Sequence, residues 1–287
     1  MTQTKREVQT LLEDAGVRPL KRFGQHFLID GNLMRKLLAA AGVQPTDVVL
    51  EVGPGTGSLT EELLAQAGHV VAVEIDRTLQ TICWDRLGQR PNFTLIAGDV
   101  LESKGSIAPA VRRALQDRQQ ELGGRILLVA NLPYQVASPL ILNLLTGQPR
   151  VAEMCFTIQA EVADRLQAPP GGKDYGPLTI LTQALADVLR VARVPPEAFW
   201  PSPEVDSAIV RVVVRPDATL PEAVQRRLAE LVHGCFNHRR KTMRWPLRDL
   251  LDDTTLSRVE TDGRWDLTLR PECITVDQWV ALARFLT

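Results

Sequence analysis

An α/β fold is what this sequence predicts: a parallel sheet with helices on both faces, followed by a small all-helical domain. Three observations support it. Short apolar, β-branched runs alternate with helical patterns up to residue 214. The runs are nearly continuous in Val, Ile and Leu, as strands buried on both faces are. After Arg215-Pro216-Asp217 the strand signal stops and only helical patterns remain.

Taken in order, residues 48–52, 70–75, 93–97 and 126–130 read as buried strands. Helical patterns at 59–67, 79–87, 107–122 and 139–145 stand between or after them. Residues 153–158 and 208–214 read as later strands of the same sheet, and 161–166 and 178–189 as helices. The stretch 168–177, "APPGGKDYGP", is rich in turn residues and predicts a surface loop. Residues 223–236 and 276–286 are the clearest of the last helices. The chain therefore divides into 1–216 and 217–287.

Composition narrows the function. With 45% hydrophobic residues in 287, the chain can bury one large domain and a small one. A net charge of -1 means that any nucleic-acid surface must be local. The four cysteines, Cys83, Cys155, Cys235 and Cys273, form no CxxC pair, so neither a metal site nor a disulfide framework is expected. The N-terminal stretch is charged where a signal peptide needs an apolar core, and no apolar run reaches membrane-spanning length. A soluble cytoplasmic protein with reduced thiols is expected.

The first strand runs into "LEVGPGTGSLTEELL", with Gly53, Gly55 and Gly57 at the strand-to-helix turn. Glycines there let the backbone turn tightly and approach a ligand. The dinucleotide pattern would need glycine at position 58, which is Ser58. The pattern E-x-G-x-G-x-G instead resembles the loop of class I methyltransferases, which bind S-adenosylmethionine. Glu74 ends the second strand, where nucleotide folds place an acid for ribose hydroxyls. Asp99 ends the third and can accept from an adenine amino group. Asn131 ends the fourth. In an open α/β sheet these strand ends meet at one crevice.

Asn131-Leu132-Pro133-Tyr134 then follows a buried strand with an amide, a rigid proline and an aromatic face. An adenine amine is a poor nucleophile because its lone pair is delocalised into the ring. An amide oxygen and a backbone carbonyl can accept its two N–H groups and favour a tetrahedral nitrogen, while Tyr134 can stack on the base. Pro133 restrains its own backbone and that of Leu132.

Motifs along the chain carry a resemblance: "KRFGQHFLID" at 21–30, "EVGPGTGSLTEELL", "VEIDRTL", "GDV", "NLPYQVASPL", "QAEVADRL", "KDYGPLTI", "VPPEAFWPSPEVDSAIVRV", "FNHRRKTMR" and "RPECITVDQWVALA". Together they resemble the ribosomal RNA adenine N6-dimethyltransferase family, in the branch that modifies small-subunit rRNA. Little beyond 100–124 and 216–230 is left uncovered. The departure is at 135–137, Gln-Val-Ala, where many relatives have Asn-Ile-Ser or Asn-Ile-Thr.

The resemblance implies a Rossmann-like class I methyltransferase fold with a helical C-terminal rRNA-binding domain, S-adenosylmethionine as cofactor and no metal. His26, Leu28, Gly53, Gly55, Glu74, Asp99 and Asn131 would line the cofactor pocket. Asn131, Leu132, Pro133 and Tyr134 would face the target amine, and Phe199 would be a second stacking ring, with Trp200 beside it. Arg239, Arg240, Lys241 and Arg244 would contact rRNA phosphates, with Lys21, Arg22, Lys5 and Arg6 as further basic groups. The implied activity is N6,N6-dimethylation of two adjacent adenosines in a hairpin near the 3′ end of small-subunit (16S) rRNA, late in biogenesis. The implied partner is the immature 30S subunit, met by a monomer. Two alternatives stay open: the same chemistry on large-subunit rRNA, giving macrolide resistance, and a non-catalytic assembly factor.

Overall fold

The protein is described by a computed structural model covering residues 2–19, 25–147, 149–216 and 220–287. Lys21, Arg22 and Asp217 lie outside them. The chain groups into two compact units, one of residues up to Ala163 with Leu189–Val214, the other of Asp164–Val188 with Arg215–Thr287.

The first unit begins with helix α1 (Lys5–Asp14), started by a capping box. Thr4 N donates to Glu7 Oε2 at 2.6 Å, and Glu7 N donates to Thr4 Oγ1 at 3.3 Å. The short strand β1 (Phe27–Leu28) leads to α2 (Gly31–Ala41), which Asp30 caps at its start. Neither α1 nor α2 is among the elements that apolar patterning predicts. Then follow β2 (Val48–Val52), α3 (Ser58–Leu64), β3 (His69–Glu74), α4 (Arg77–Leu87) and β4 (Phe93–Ala97). A small hairpin, β5 (Leu101–Ser103) and β6 (Ser106–Ile107), precedes α5 (Pro109–Leu122). After it come β7 (Ile126–Asn131), α6 (Ala137–Thr146), β8 (Glu153–Gln159) and α7 (Ala160–Gln167). Next along the chain are α8 (Pro177–Gln183), which belongs to the second unit, and then β9 (Ala186–Val194), β10 (Phe199–Trp200) and β11 (Ser207–Val214).

The sheet has seven strands in the order β4-β3-β2-β7-β8-β11-β9. From β4 to β8 neighbouring strands are parallel. β2, β3 and the body of β7 are buried throughout, in keeping with their nearly continuous apolar runs. The chain winds outward from β2 to β4, then crosses back to place β7 on the other side of β2. This is the switch point at which open α/β sheets form a crevice.

Two expectations about the sheet are corrected. It is mixed, because β11 lies antiparallel to β8, Val210 opposite Phe156. And 178–189 is not one helix: α8 ends at Gln183 and β9 starts at Ala186. β9 is an edge strand with only Ala186 and Val194 buried, so its apolar residues carry no clear period.

The second unit holds α8, then α9 (Glu222–Phe236), α10 (Arg244–Leu250), α11 (Asp253–Asp262) and α12 (Val276–Phe285). Its centre is the fully buried Trp279, with Phe236 against it at 6.3 Å between ring centroids. Residues 168–177 are more than a surface loop. Tyr175 is fully buried and its hydroxyl donates to the Ile274 carbonyl at 2.8 Å. Residues 164–188 group with the last helices because α8 packs on α9. The division expected at 216/217 differs from these units in that respect.

Candidate active site

A cleft of ≈ 350 Å³ opens where β2, β3 and β7 end, and every residue lining it belongs to the first unit. Gly53, Gly55 and Gly57 all have positive φ, +72°, +59° and +79°. The turn also leaves no room for side chains. A Cβ on Gly55 would stand 2.9 Å from Phe27 Cε1, and one on Gly53 3.2 Å from Pro133 Cγ. The same glycines therefore set the turn and bring the Asn131–Tyr134 segment close to it.

Glu74, buried at the end of β3, holds this loop. Its Oε2 accepts from Gly55 N at 3.1 Å and its Oε1 from Asp76 N at 2.9 Å. Burial raises its pKa, and those two amides oppose the rise. Glu51, inside β2, also lines the cleft; burial pushes its carboxyl up to about 8, a Thr60 contact opposes this, and the charge of Glu74 adds to it. Glu51 Oε2 is buried with no hydrogen-bond partner. Asp99 stands exposed at the rim, its Oδ1 accepting from Leu101 N at 2.9 Å.

Asn131 is fixed at both ends of its amide. Thr157 Oγ1, on the neighbouring strand β8, donates to Asn131 Oδ1, and Asn131 Nδ2 donates to the His26 carbonyl at 2.7 Å. His26 is itself held: Nδ1–H donates to the Pro201 carbonyl at 2.6 Å, and its ring lies 5.9 Å from that of Tyr134, 27° from parallel. Tyr134 is half-buried, its hydroxyl 2.8 Å from Oγ of the fully buried Ser207. Burial raises the Tyr134 pKa. Leu132 and Pro133 line the cleft between these anchors.

The structure thus brings His26, Leu28, Gly53, Gly55, Glu74, Asp99, Asn131, Leu132, Pro133 and Tyr134 to one cleft. It does not bring Phe199 there. Phe199 is 2% exposed and sits in the hydrophobic core. β10 pairs with β1, Leu28 opposite Phe199, and strand alternation turns Phe199 inward and Trp200 away from it. Trp200 packs near Phe27, ring centroids 6.4 Å apart. Phe199 is not among the residues that line the cleft.

Several site residues are absent from the sequence-based expectations. Gln3 is buried against the glycine loop: Thr56 Oγ1 donates to Gln3 Oε1 at 2.6 Å, and Gln3 Nε2 donates to the Thr56 carbonyl at 3.3 Å. Val8 of α1 lines the cleft as well. Thr157 and Glu51 did leave a signal, each a polar residue inside an apolar strand.

The basic cluster is divided. Arg239 donates to the carbonyls of Lys173 at 2.8 Å and Gly172 at 3.1 Å, and faces Glu272 at 3.5 Å. Arg244 pairs with Glu260 at 2.8 Å. Arg240 and Lys241 are exposed.

The cleft suits a cofactor that carries a nucleoside. Each Glu74 oxygen receives one backbone amide and retains a lone pair, the glycines line a close wall, and Glu51 supplies a buried oxygen still without a partner.

A ribosomal RNA small subunit methyltransferase A from Moorella thermoacetica is 37% identical over 277 residues, 96% of this chain and 95% of that one. Its counterpart from Pseudomonas savastanoi pv. phaseolicola is 40% identical over 272 residues, 94% of this chain and 95% of that one. Among solved structures, a dimethyladenosine transferase from Plasmodium falciparum matches with TM-score 0.71 at 24% identity, covering 90% of this chain and 96% of that one. The 23S rRNA methyltransferase ErmE matches with TM-score 0.64 at 25% identity, over 91% and 99%. The description "Ribosomal RNA adenine dimethylase" fits residues 18–285. With the glycine loop, Glu74, Asp99 and the anchored Asn131 inside that span, the chain belongs to the ribosomal RNA adenine dimethylase family.

Proposed function

We propose that the protein dimethylates the N6 amines of two adjacent adenosines in a hairpin near the 3′ end of small-subunit rRNA, acting on immature subunits late in their assembly. The observation that supports this best is the Asn131 amide, which Thr157 and the His26 carbonyl hold in one orientation at the switch point of the sheet. The small-subunit names of the relatives at 37% and 40% identity point to the same RNA.

The cofactor is S-adenosylmethionine, which when bound supplies a methyl group already activated on a sulfonium. Glu74 and Asp99 are the groups for its ribose and adenine, with His26, Leu28, Gly53 and Gly55 as the surrounding wall. Asn131 Oδ1 retains a lone pair beyond the one that Thr157 uses, and accepts from the target amine. The Leu132 carbonyl accepts the second N–H, and the nitrogen lone pair turns out of the ring. The Tyr134 ring carries the base, with Ser207 holding its hydroxyl and His26 beside its face. Positioning and fixed dipoles suffice, so the reaction asks for no strong general base. The helical residues 217–287 supply rRNA contacts, and the protein works as a monomer in the cytoplasm, where its ribosomal substrate is.

Methylation of large-subunit rRNA is the second reading, and it rests on the likeness to ErmE at 25% identity. Leu132 stands where such relatives usually carry isoleucine. The presence of Glu74, Asp99, Asn131 and Tyr134 around one cleft favours catalysis over a purely binding role. The test uses small and large subunits from a strain lacking such an enzyme, incubated with the protein and S-adenosylmethionine. Primer extension should stop at two adjacent positions in small-subunit rRNA, and digests should contain dimethyladenosine. Product in large subunits, or binding without product, overturns the proposal.

A further inference from the structure

We propose that Trp245 is a stacking platform for an unpaired base of the RNA, a contact made by the second unit and distinct from the methyl-transfer cleft; this rests on the rRNA reading above. Trp245 is the second residue of α10 and is 42% exposed. A single exposed aromatic residue is ordinary on a protein surface. Three further observations set this one apart.

Its backbone is pinned. Met243 N donates to the Leu269 carbonyl at 2.8 Å, Arg244 N to that of Leu267 at 3.1 Å, and Trp245 N to that of Thr242 at 3.0 Å. The ring is held as well. The His238 imidazole meets it edge to face, with ring centroids 4.3 Å apart and planes 62° apart. A ring ordered in advance loses little entropy when it binds.

Its neighbours in sequence are mostly cationic. Arg240, Lys241 and Arg248 are exposed, and no ion pair or hydrogen bond of their side chains is present among the described residues. Arg248 lies one helical turn from Trp245 on the same face of α10, with one acid, Asp249, beside it. Free cations around an exposed π-face are what a single-stranded nucleic acid needs, phosphates on the charges and a base on the ring. Trp84, 50% exposed, has no such cluster: the cation nearest to it in sequence, Arg86, is paired with Glu61 at 3.2 Å.

The test measures binding of the full chain to small subunits from a strain lacking such an enzyme, across a salt series. Trp245→Ala and Trp245→Leu should both weaken binding by about 5- to 100-fold, the range of one base–aromatic stack, with the salt slope unchanged. Trp245→Phe keeps a π-face and should stay within about threefold of the parent. A photo-crosslinking residue at 245 should capture RNA. Parental affinity in Trp245→Leu, or capture of a ribosomal protein, overturns the platform alone. A parent chain that binds no small subunits overturns the rRNA reading and the platform with it.

Discussion

Thr157 donates its hydroxyl hydrogen to Oδ1 of Asn131, so the amide end of Asn131 points at the His26 carbonyl and its oxygen stays with β8. An amide free of Thr157 could turn over and present N–H groups to a target that needs an acceptor. Thr157→Val keeps the volume and removes the donor. Single-turnover methylation at saturating cofactor should slow by roughly tenfold, with cofactor affinity nearly unchanged, whereas Asn131→Ala should slow it by roughly 100-fold or more. A well-folded Asn131→Ala that methylates at the parental rate would remove Asn131 from the mechanism.

Tyr134 and Ser207 make a second test. The ring is the stacking face, and the hydroxyl holds it in place through the buried Ser207. Tyr134→Ala should cost most of the activity. Tyr134→Phe and Ser207→Ala should each cost a few-fold, and together little more than either alone, because both break one bond. Full additivity in this cycle would mean that the pair is not the anchor.

Glu51 predicts a pH dependence of stability. Its carboxyl ionises near 4.5 in the unfolded chain and about 8 in the folded one. Between these values the folded state holds the extra proton, so this group's contribution is fully present below 4.5, is lost as pH rises through the window, and falls no further above about 8. Glu51→Gln removes the titration at nearly constant shape. Its melting temperature should match the parent's near pH 4.5 and exceed it increasingly towards pH 8. Parallel melting curves for the two proteins would refute the assignment.

Gln3 ties the N-terminal segment to the glycine loop through both polar atoms of its amide. Gln3→Ala leaves the Thr56 hydroxyl without its acceptor, while Arg86 still donates to the Thr56 carbonyl; the loss costs about 1–2 kcal/mol. The loss should appear as roughly 5- to 30-fold weaker cofactor binding by calorimetry. Unchanged affinity would make the contact a packing detail.

The basic residues should separate by their partners. Arg239→Ala should lower the melting temperature, since the Lys173 carbonyl loses this donor, the Gly172 carbonyl keeps only Tyr175 N, and Glu272 loses its cationic partner. Arg240→Ala with Lys241→Ala should leave melting unchanged, weaken small-subunit binding and flatten its salt dependence by about two counterions. An equal salt slope in parent and double variant would leave those charges merely solvated.

The parallel strands and their polar ends were legible because burial on both faces leaves nearly continuous apolar runs, and because Glu74, Asp99 and Asn131 stand at or just past strand ends. β9 was not: only its two end residues are buried, so its apolar residues have no period. The inward turn of Phe199 follows from its pairing with Leu28, far away in sequence, while the adjacent Trp200 makes the pair look alike on paper. Gln3 and Thr56 are 53 positions apart, and no local pattern encodes their pairing. Arg239 reads as an RNA-facing charge until its carbonyl partners, 66 and 67 positions upstream, are seen.

The interleaving of the two units along the chain bears on biosynthesis. Residues 164–188 emerge from the ribosome after most of the central sheet but before α9, the helix on which α8 packs. The α9-facing side of α8 must therefore wait while β9, β10 and β11 are made and the sheet is finished. Neither unit can be completed before the other has begun, so cutting the gene at residue 216 would release a first fragment with a helix it cannot bury and a second without its inserted segment.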